Sequence, residues 1–263
     1  MDHGGDIVAL VRTGDYDRFL CIQRAPSAQR WALYAVTALH SELARIAETV
    51  SEPLLGHIRL AWWREALEEI EAGAAPRNHP VVLALAAALQ AYPALLPWLK
   101  QPIEARAADL DESLLAGDAA WLEYIDRTAG ALHMAWAVVL DPAAATAQAD
   151  SILADARAYG KIGLLRAIPY MAQQGFLRFP HGRLNAHDLT TLAPGAPLQA
   201  FTKAMLADVS PRQPLPHSPA LRPLRALARL RQLHARQLRK AAFNPFALRP
   251  GKLAAAWTVL VSI

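Results

Sequence analysis

The residues Ala32, Val36, Leu39, Leu43, Ile46 and Val50 place apolar side chains at alternating steps of four and three, a spacing close to the 3.6 residues of a helical turn. Such a stripe runs along one side of a helix and has to be covered by other elements, since leaving it in water forfeits roughly 25 cal/mol per Å² of apolar surface. The same period returns along much of the chain, while alternating strand patterns are nearly absent, so the expected fold class is all-α. With 263 residues, 54% of them hydrophobic, the chain is long enough to bury a full core, and a single helical domain over 1–263 is expected. Its core is expected over about 15–208, followed by a proline-rich connection at 210–219 and a basic C-terminal helix at about 220–241.

Local signals set the expected boundaries. A short helix over Asp15 to Gln23 is followed by a break at Pro26 with Ser27 as N-cap, and then by the long helix that carries the stripe. Ser51 is the expected cap of the next helix, with Pro53 tolerated in its first turn and Leu55, Ile58, Trp62, Ala66 and Ile70 as its buried face. Gly73 ends it. Further helices are expected from Pro80 to Leu89, Ile103 to Leu115, Ala119 to Leu140 and Ala143 to Tyr170, with a less regular segment from Phe176 to Pro197.

The net charge of +4 is local. Of 27 basic residues, seven lie between Leu221 and Lys240 with no acid among them, which leaves 20 basic against 23 acidic residues elsewhere. Arg222, Arg225, Arg229, Arg236 and Arg239 share one helical face there, suited to a solvated surface, an acidic partner or anionic head groups. No aromatic residue interleaves with them, which argues against stacked bases and hence against a nucleic-acid partner. The lone cysteine, Cys21, cannot form an internal disulfide, and the first residues lack a signal-peptide pattern, so a cytoplasmic protein is expected, with peripheral contact to the inner membrane through the basic helix. The apolar run from Leu253 to Ile263 has eleven residues, too few to span a bilayer. No G-x-S-x-G, Walker A, G-x-G-x-x-G or zinc-type histidine spacing is present.

Asp17-Arg18-Phe19-Leu20, Trp31-Ala32-Leu33-Tyr34-Ala35 and Ile58-Arg59-Leu60-Ala61-Trp62-Trp63-Arg64-Glu65-Ala66-Leu67 occur in order, followed by Tyr124-Ile125-Asp126-Arg127-Thr128-Ala129-Gly130 and by Leu165-Arg166 ahead of Phe179-Pro180. Together they resemble the squalene/phytoene synthase family over about Asp15 to Pro180. The resemblance implies an isoprenoid-synthase-like helical bundle around a central cavity. Active members of the family join two prenyl diphosphates head to head, using Mg²⁺ held by two aspartate-rich motifs on facing helices. Carboxylates one turn apart suit that task, because ionising an allylic diphosphate needs hard cations on oxygen ligands.

Laid over this chain, the first motif falls on Ala44, Arg45 and Glu48, within a row Thr37, Ser41, Ala44, Glu48. The second falls on Gly160, Gly163, Ala167 and Met171, where no oxygen-bearing side chain remains. The resemblance therefore implies a lost metal centre, with no cofactor and Glu48 as the surviving metal ligand only if Mg²⁺-dependent coupling is retained. Its implied cavity residues are Tyr34, Ser41, Glu48, Arg59, Tyr124, Gly163, Arg166 and Ala167, with Tyr124 the one candidate for a catalytic role. Glu42-Leu43-Ala44-Arg45 and Leu165-Arg166-Ala167-Ile168-Pro169-Tyr170 resemble a divergent branch of the family linked to assembly of respiratory complex I. A non-catalytic assembly or binding protein is thus expected, with a respiratory-complex partner or an isoprenoid-like apolar ligand; the alternative is a Mg²⁺-dependent head-to-head prenyl transferase. His40 and Cys21 read as packed residues.

Overall fold

The computed structural model describes residues 3–111, 117–174, 178, 179, 184, 196–207, 209, 215, 218–248 and 251–260. Among them the regular elements are all helical, and the chain is an all-α protein. The first half runs α1 (His3–Gly14), α2 (Tyr16–Ile22), α3 (Ser27–Thr49), α4 (Pro53–Glu71), α5 (Pro80–Ala91) and α6 (Leu96–Ala105), the last followed by a 3₁₀ turn at Arg106–Asp109. The second half runs α7 (Asp118–Ile125), a π turn at Asp126–Gly130, α8 (Ala131–Leu140), α9 (Pro142–Ala147), α10 (Ala149–Gln174), α11 (Ala196–Ala207), α12 (Arg222–Lys240) and α13 (Lys252–Leu260).

α8 is the axis of the bundle, because all ten of its residues are buried. Trp136 on α8 donates its indole N–H to Thr37 Oγ1 at 3.0 Å, and the Thr37 hydroxyl donates in turn to the Leu33 carbonyl at 2.7 Å. This chain of bonds satisfies two buried polar groups and joins α8 to α3. The expected stripe on α3 is buried from Ala32 through Ile46, while Val50, its C-cap, is half-buried. A second apolar cluster gathers Trp121 and Ile125 of α7, Ile162, Leu165 and Ile168 of α10 and Phe201 of α11.

Several boundaries differ from expectation for local reasons. α1 was not expected; it packs on α3 through Ile7 and Val11, one helical turn apart. Asp15 is the N-cap of α2, accepting from the Arg18 amide at 3.0 Å. α3 and α4 are capped by Pro26 and Glu52 without side-chain bonds, so neither Ser27 nor Ser51 serves as cap, whereas Pro53 does open α4. The helix expected to start at Ile103 begins at Leu96 and gives way to the 3₁₀ turn at Arg106, and the residues around Leu115 lie outside those described. α11 and α13 were also not expected, and most of the 210–219 connection and of the 176–197 segment lies outside the described residues.

The face of α4 is the largest correction. Gly56, Leu60, Trp63, Ala66 and Leu67 are buried, while Leu54, Leu55 and Ile58 are exposed, Ile58 at 57%. Gly56 decides this rotation, since a Cβ there would lie 2.4 Å from Leu110 Cδ2; the missing side chain lets that leucine approach the backbone. Gly73, at φ +75°, follows α4 in the left-handed conformation that ends helices. No single helix among the described residues is long and apolar enough to cross a membrane.

Candidate functional site

α2, α3, α7 and α10 leave a cavity of about 150 Å³ between them. Its wall on α10 is made by Tyr159, Gly160, Gly163 and Leu164, and the facing turn of α3 contributes His40. Gly160 and Gly163 do different things. A Cβ at Gly160 would meet Ile125 Cγ2 at 2.7 Å and the Ala129 Cβ at 3.0 Å, so this glycine lets α10 pack against α7 and the π turn; at Gly163 a Cβ would meet nothing within 4 Å.

Three arginines reach the cavity, Arg18 from α2, Arg106 from the 3₁₀ turn after α6 and Arg178 from beyond α10. Asp109 organises two of them: it pairs with Arg106 Nη1 at 2.9 Å and with Arg178 Nε at 3.0 Å, and its Oδ1 accepts from the Tyr124 hydroxyl at 2.7 Å. Arg106 Nη1 also donates to the Tyr124 oxygen at 2.8 Å. Burial, first, and the Asp109 carboxylate push the Tyr124 phenol well above its ordinary value against the pull of Arg106 and Arg178, so Tyr124 is a neutral strut. Arg178 is held by Trp121 Nε1, which donates to its carbonyl at 3.0 Å, and its own Nη2 donates to the Ala44 carbonyl at 3.4 Å. Arg18 pairs with Asp15 and lies 4.9 Å from the centre of the Tyr159 ring.

The charged groups that face the cavity are cationic, while the carboxylates that pair with them, Asp15 and Asp109, stand outside its lining. No carboxylate lines it among the described residues, and every charged side chain on its wall is an arginine. His40 is driven well below the usual histidine range by burial, then by Arg106, Arg18, His133 and Arg178, and is therefore neutral.

The implied cavity residues divide. Tyr124 and Gly163 line the cavity. Tyr34 does not line it; it is buried, hydrogen-bonded to Gln23 and packed on Phe19. Ser41 donates to the Thr37 carbonyl at 3.0 Å, and Thr37 is consumed by the core bond to Trp136, so the upper part of the expected α3 row is structural. Glu48 accepts from the Tyr170 hydroxyl at 2.9 Å, tying α3 to α10 at a partly exposed position. Ala167 packs against the second apolar cluster. Arg59 donates to Thr49 Oγ1 at 2.6 Å and lines a separate groove of about 390 Å³ with Trp62, Trp63 and His79. Arg166 pairs with Asp17 at 3.1 Å in a third cleft of about 420 Å³, where His234 Nε2 also meets Asp17 at 2.7 Å. The sequence reading missed Arg106, Asp109 and Arg178 and took His40 as simple packing; the signal for His40 was its place one turn before Ala44.

Mg²⁺ does not fit this arrangement. The α10 positions offer Gly160, Gly163 and Ala167, which carry no donor oxygen, and the neighbouring wall is cationic. Among the described residues no three His, Cys, Asp or Glu side chains are placed to hold a metal ion.

An all-helical bundle with a cavity walled by the two helices that carry these motif positions defines an isoprenoid-synthase-like fold. It superimposes on a dehydrosqualene synthase solved in complex with ligand, with a TM-score of 0.72 at 15% identity over 98% of this chain and 95% of the other. The squalene synthase HpnC from Alicyclobacillus acidocaldarius gives 0.73 at 16% identity, over 93% and 95%. The squalene/phytoene synthase model matches residues 11–258, and the chain belongs to that family. Over 162 residues it is 27% identical to NADH dehydrogenase (ubiquinone) complex I, assembly factor 6, of Homo sapiens and 28% identical to that of Bos taurus, covering 61% of this chain and 48% of each relative. The chain thus spans about half the length of the curated relatives it matches.

Proposed function

We propose that this chain uses a prenyl-transferase fold as a binding scaffold, without metal-dependent coupling, in a role related to assembly of respiratory complex I. The observation that carries this reading is the cavity between α3 and α10: those helices line it with His40, Tyr159, Gly160, Gly163 and Leu164, and its charged lining residues are arginines from neighbouring elements, whereas metal-held diphosphate would need carboxylates there. Metal activation supplies several kcal/mol of transition-state stabilisation, and nothing on this wall replaces it. The cavity of about 150 Å³ also falls below the roughly 300–1,000 Å³ of typical small-molecule pockets, which disfavours an isoprenoid chain as its occupant.

Recognition of a macromolecular partner then rests on outer surfaces. Leu54, Leu55 and Ile58 form an exposed apolar step on α4, suited to a protein partner, and Trp257 and Leu260 project from α13, which packs on the basic helix α12. The similarity to assembly factor 6 supports a respiratory-complex partner.

Incubating the purified chain with radiolabelled farnesyl and geranylgeranyl diphosphates, with and without Mg²⁺, tests the catalytic half: no condensation product is expected. Metal-dependent product that disappears in Glu48→Ala would establish the prenyl-transferase alternative instead. Deleting the gene in its own organism tests the other half, and unchanged complex I content on native gels would remove the assembly role.

A further inference from the structure

The cavity is built like a receptor for charge. Arg18 and Arg106 are each buried to 6% exposure, and Arg178 joins them on a wall that lacks any carboxylate. Their carboxylate partners, Asp15 and Asp109, are not among the lining residues. Buried guanidinium groups are stable only when their charge and N–H groups are met. Here Arg18 Nε and Arg106 Nε have no hydrogen-bond partner among the described residues, and neither does His40 Nδ1. The other ionisable groups on the cavity lining are His40, Tyr124 and Tyr159, the tyrosines kept neutral chiefly by burial; outside the lining, Asp15 and Asp17 act on Arg18, Asp109 and Glu48 on Arg106, and His133 on His40. An apolar occupant would leave the guanidinium charges as they are. An oxyanion would meet them directly, in the charge-assisted geometry that arginine favours.

We propose that this cavity binds one small oxyanion of phosphate size without a metal ion, held by Arg18, Arg106 and Arg178 with the neutral imidazole of His40 as an additional donor. The volume of about 150 Å³ admits a phosphate group and leaves no room for a long chain beside it. Gly163 supplies part of that space, since a Cβ placed on it would meet no neighbouring side chain within 4 Å. The site goes beyond the scaffold reading and can fail separately from it: the prenyl diphosphate assay tests coupling, and the titration below tests anion recognition.

The experiment is isothermal titration of the full chain with inorganic phosphate at pH 7.5 in excess EDTA, paired with proton NMR titration of His40. Saturable one-to-one binding is expected, unaffected by the chelator, with the His40 pKa rising by at least one unit in saturating phosphate because the anion offsets the arginine charges. Gly163→Leu fills the space without removing any partner of Asp109, and is expected to weaken binding at least tenfold while the chain stays folded by circular dichroism. Arg18→Gln is expected to do the same. A parallel titration with dimethylallyl monophosphate separates the sources: affinity equal to or below that of phosphate points to a free anion, and tighter binding to the head group of a larger molecule. Absence of saturable phosphate binding, binding indifferent to Gly163→Leu, or an unchanged His40 pKa at saturation would each overturn the proposal.

Discussion

The Tyr170 hydroxyl donates to Glu48 Oε2 at 2.9 Å, so a side chain of α10 engages the one acid left at the first motif on α3. The bond raises the Tyr170 phenol above its ordinary value, chiefly because the hydroxyl proton is held by the carboxylate. Tyr170→Phe is expected to lower stability by only about 0.5–1 kcal/mol, the bond being exposed. Ultraviolet titration of Tyr170 should move down in Glu48→Gln; an unchanged titration would mean the two groups do not meet in solution.

The two glycines of α10 predict opposite outcomes. Gly160→Ala forces a Cβ against Ile125 and Ala129 at 2.7 and 3.0 Å, and overpacking of this kind costs about 1–3 kcal/mol. Gly163→Ala meets open space and gains roughly 1 kcal/mol of helix propensity. Urea denaturation of both variants checks the pair, and equal effects would show that α10 does not pack as described.

Arg231 on α12 reaches Asp155 of α10 at 2.8 Å, with both side chains at 2% exposure or less. Burial outweighs the attraction of Arg231 and lifts the Asp155 carboxyl above the usual range. Between the unfolded carboxyl value and about 6 the folded chain holds a proton that the unfolded chain has lost, so folding becomes less favourable as pH rises across that window and the carboxylate is ionised in both states at neutral pH. Arg231→Met strands the carboxylate and is expected to cost about 3–5 kcal/mol at neutral pH, most of it recovered in Arg231→Met with Asp155→Leu. Chemical denaturation of the single and double variants measures the difference.

Asp17 titrates in the other sense. Burial, the largest single influence, acts to raise it, but hydrogen bonding and charge from His234, with Arg166, bring it down to about 2. Its contribution is complete above about pH 4 and is lost as pH falls through 2. Asp17→Asn is expected to cost about 2 kcal/mol at neutral pH and nothing below pH 2, which thermal melts across that range would test.

Arg222, Arg229 and Arg236 stand seven residues apart on the exposed side of α12, while α13 presents Trp257 at 68% exposure. Co-sedimentation with anionic vesicles is expected, falling with salt and by roughly fivefold for each of Arg229→Glu and Arg236→Glu, as about 1 kcal/mol per basic residue implies. Binding equal on neutral vesicles would exclude a charge-led contact.

The all-α class and the run of α3 were legible in the chain because a helix repeats its buried face every three to four residues, and that repeat is written locally. The absence of side-chain oxygens at Ala44, Gly163 and Ala167, where the family resemblance implies polar motif residues, was legible directly, because a residue without an oxygen cannot serve as a hard-cation ligand through its side chain. The face of α4 was not, since Leu55 and Ile58 fit the helical period as well as Leu60 and Trp63, and only the approach of Leu110 to Gly56 selects between them. Nor was the arginine wall. Arg18, Arg106 and Arg178 lie 88 and 72 residues apart in the chain, and their meeting depends on how α2, α6 and α10 pack. Local periodicity determined the elements; tertiary packing alone decided which charges share a cavity, because electrostatic energy depends on distance in space rather than along the chain.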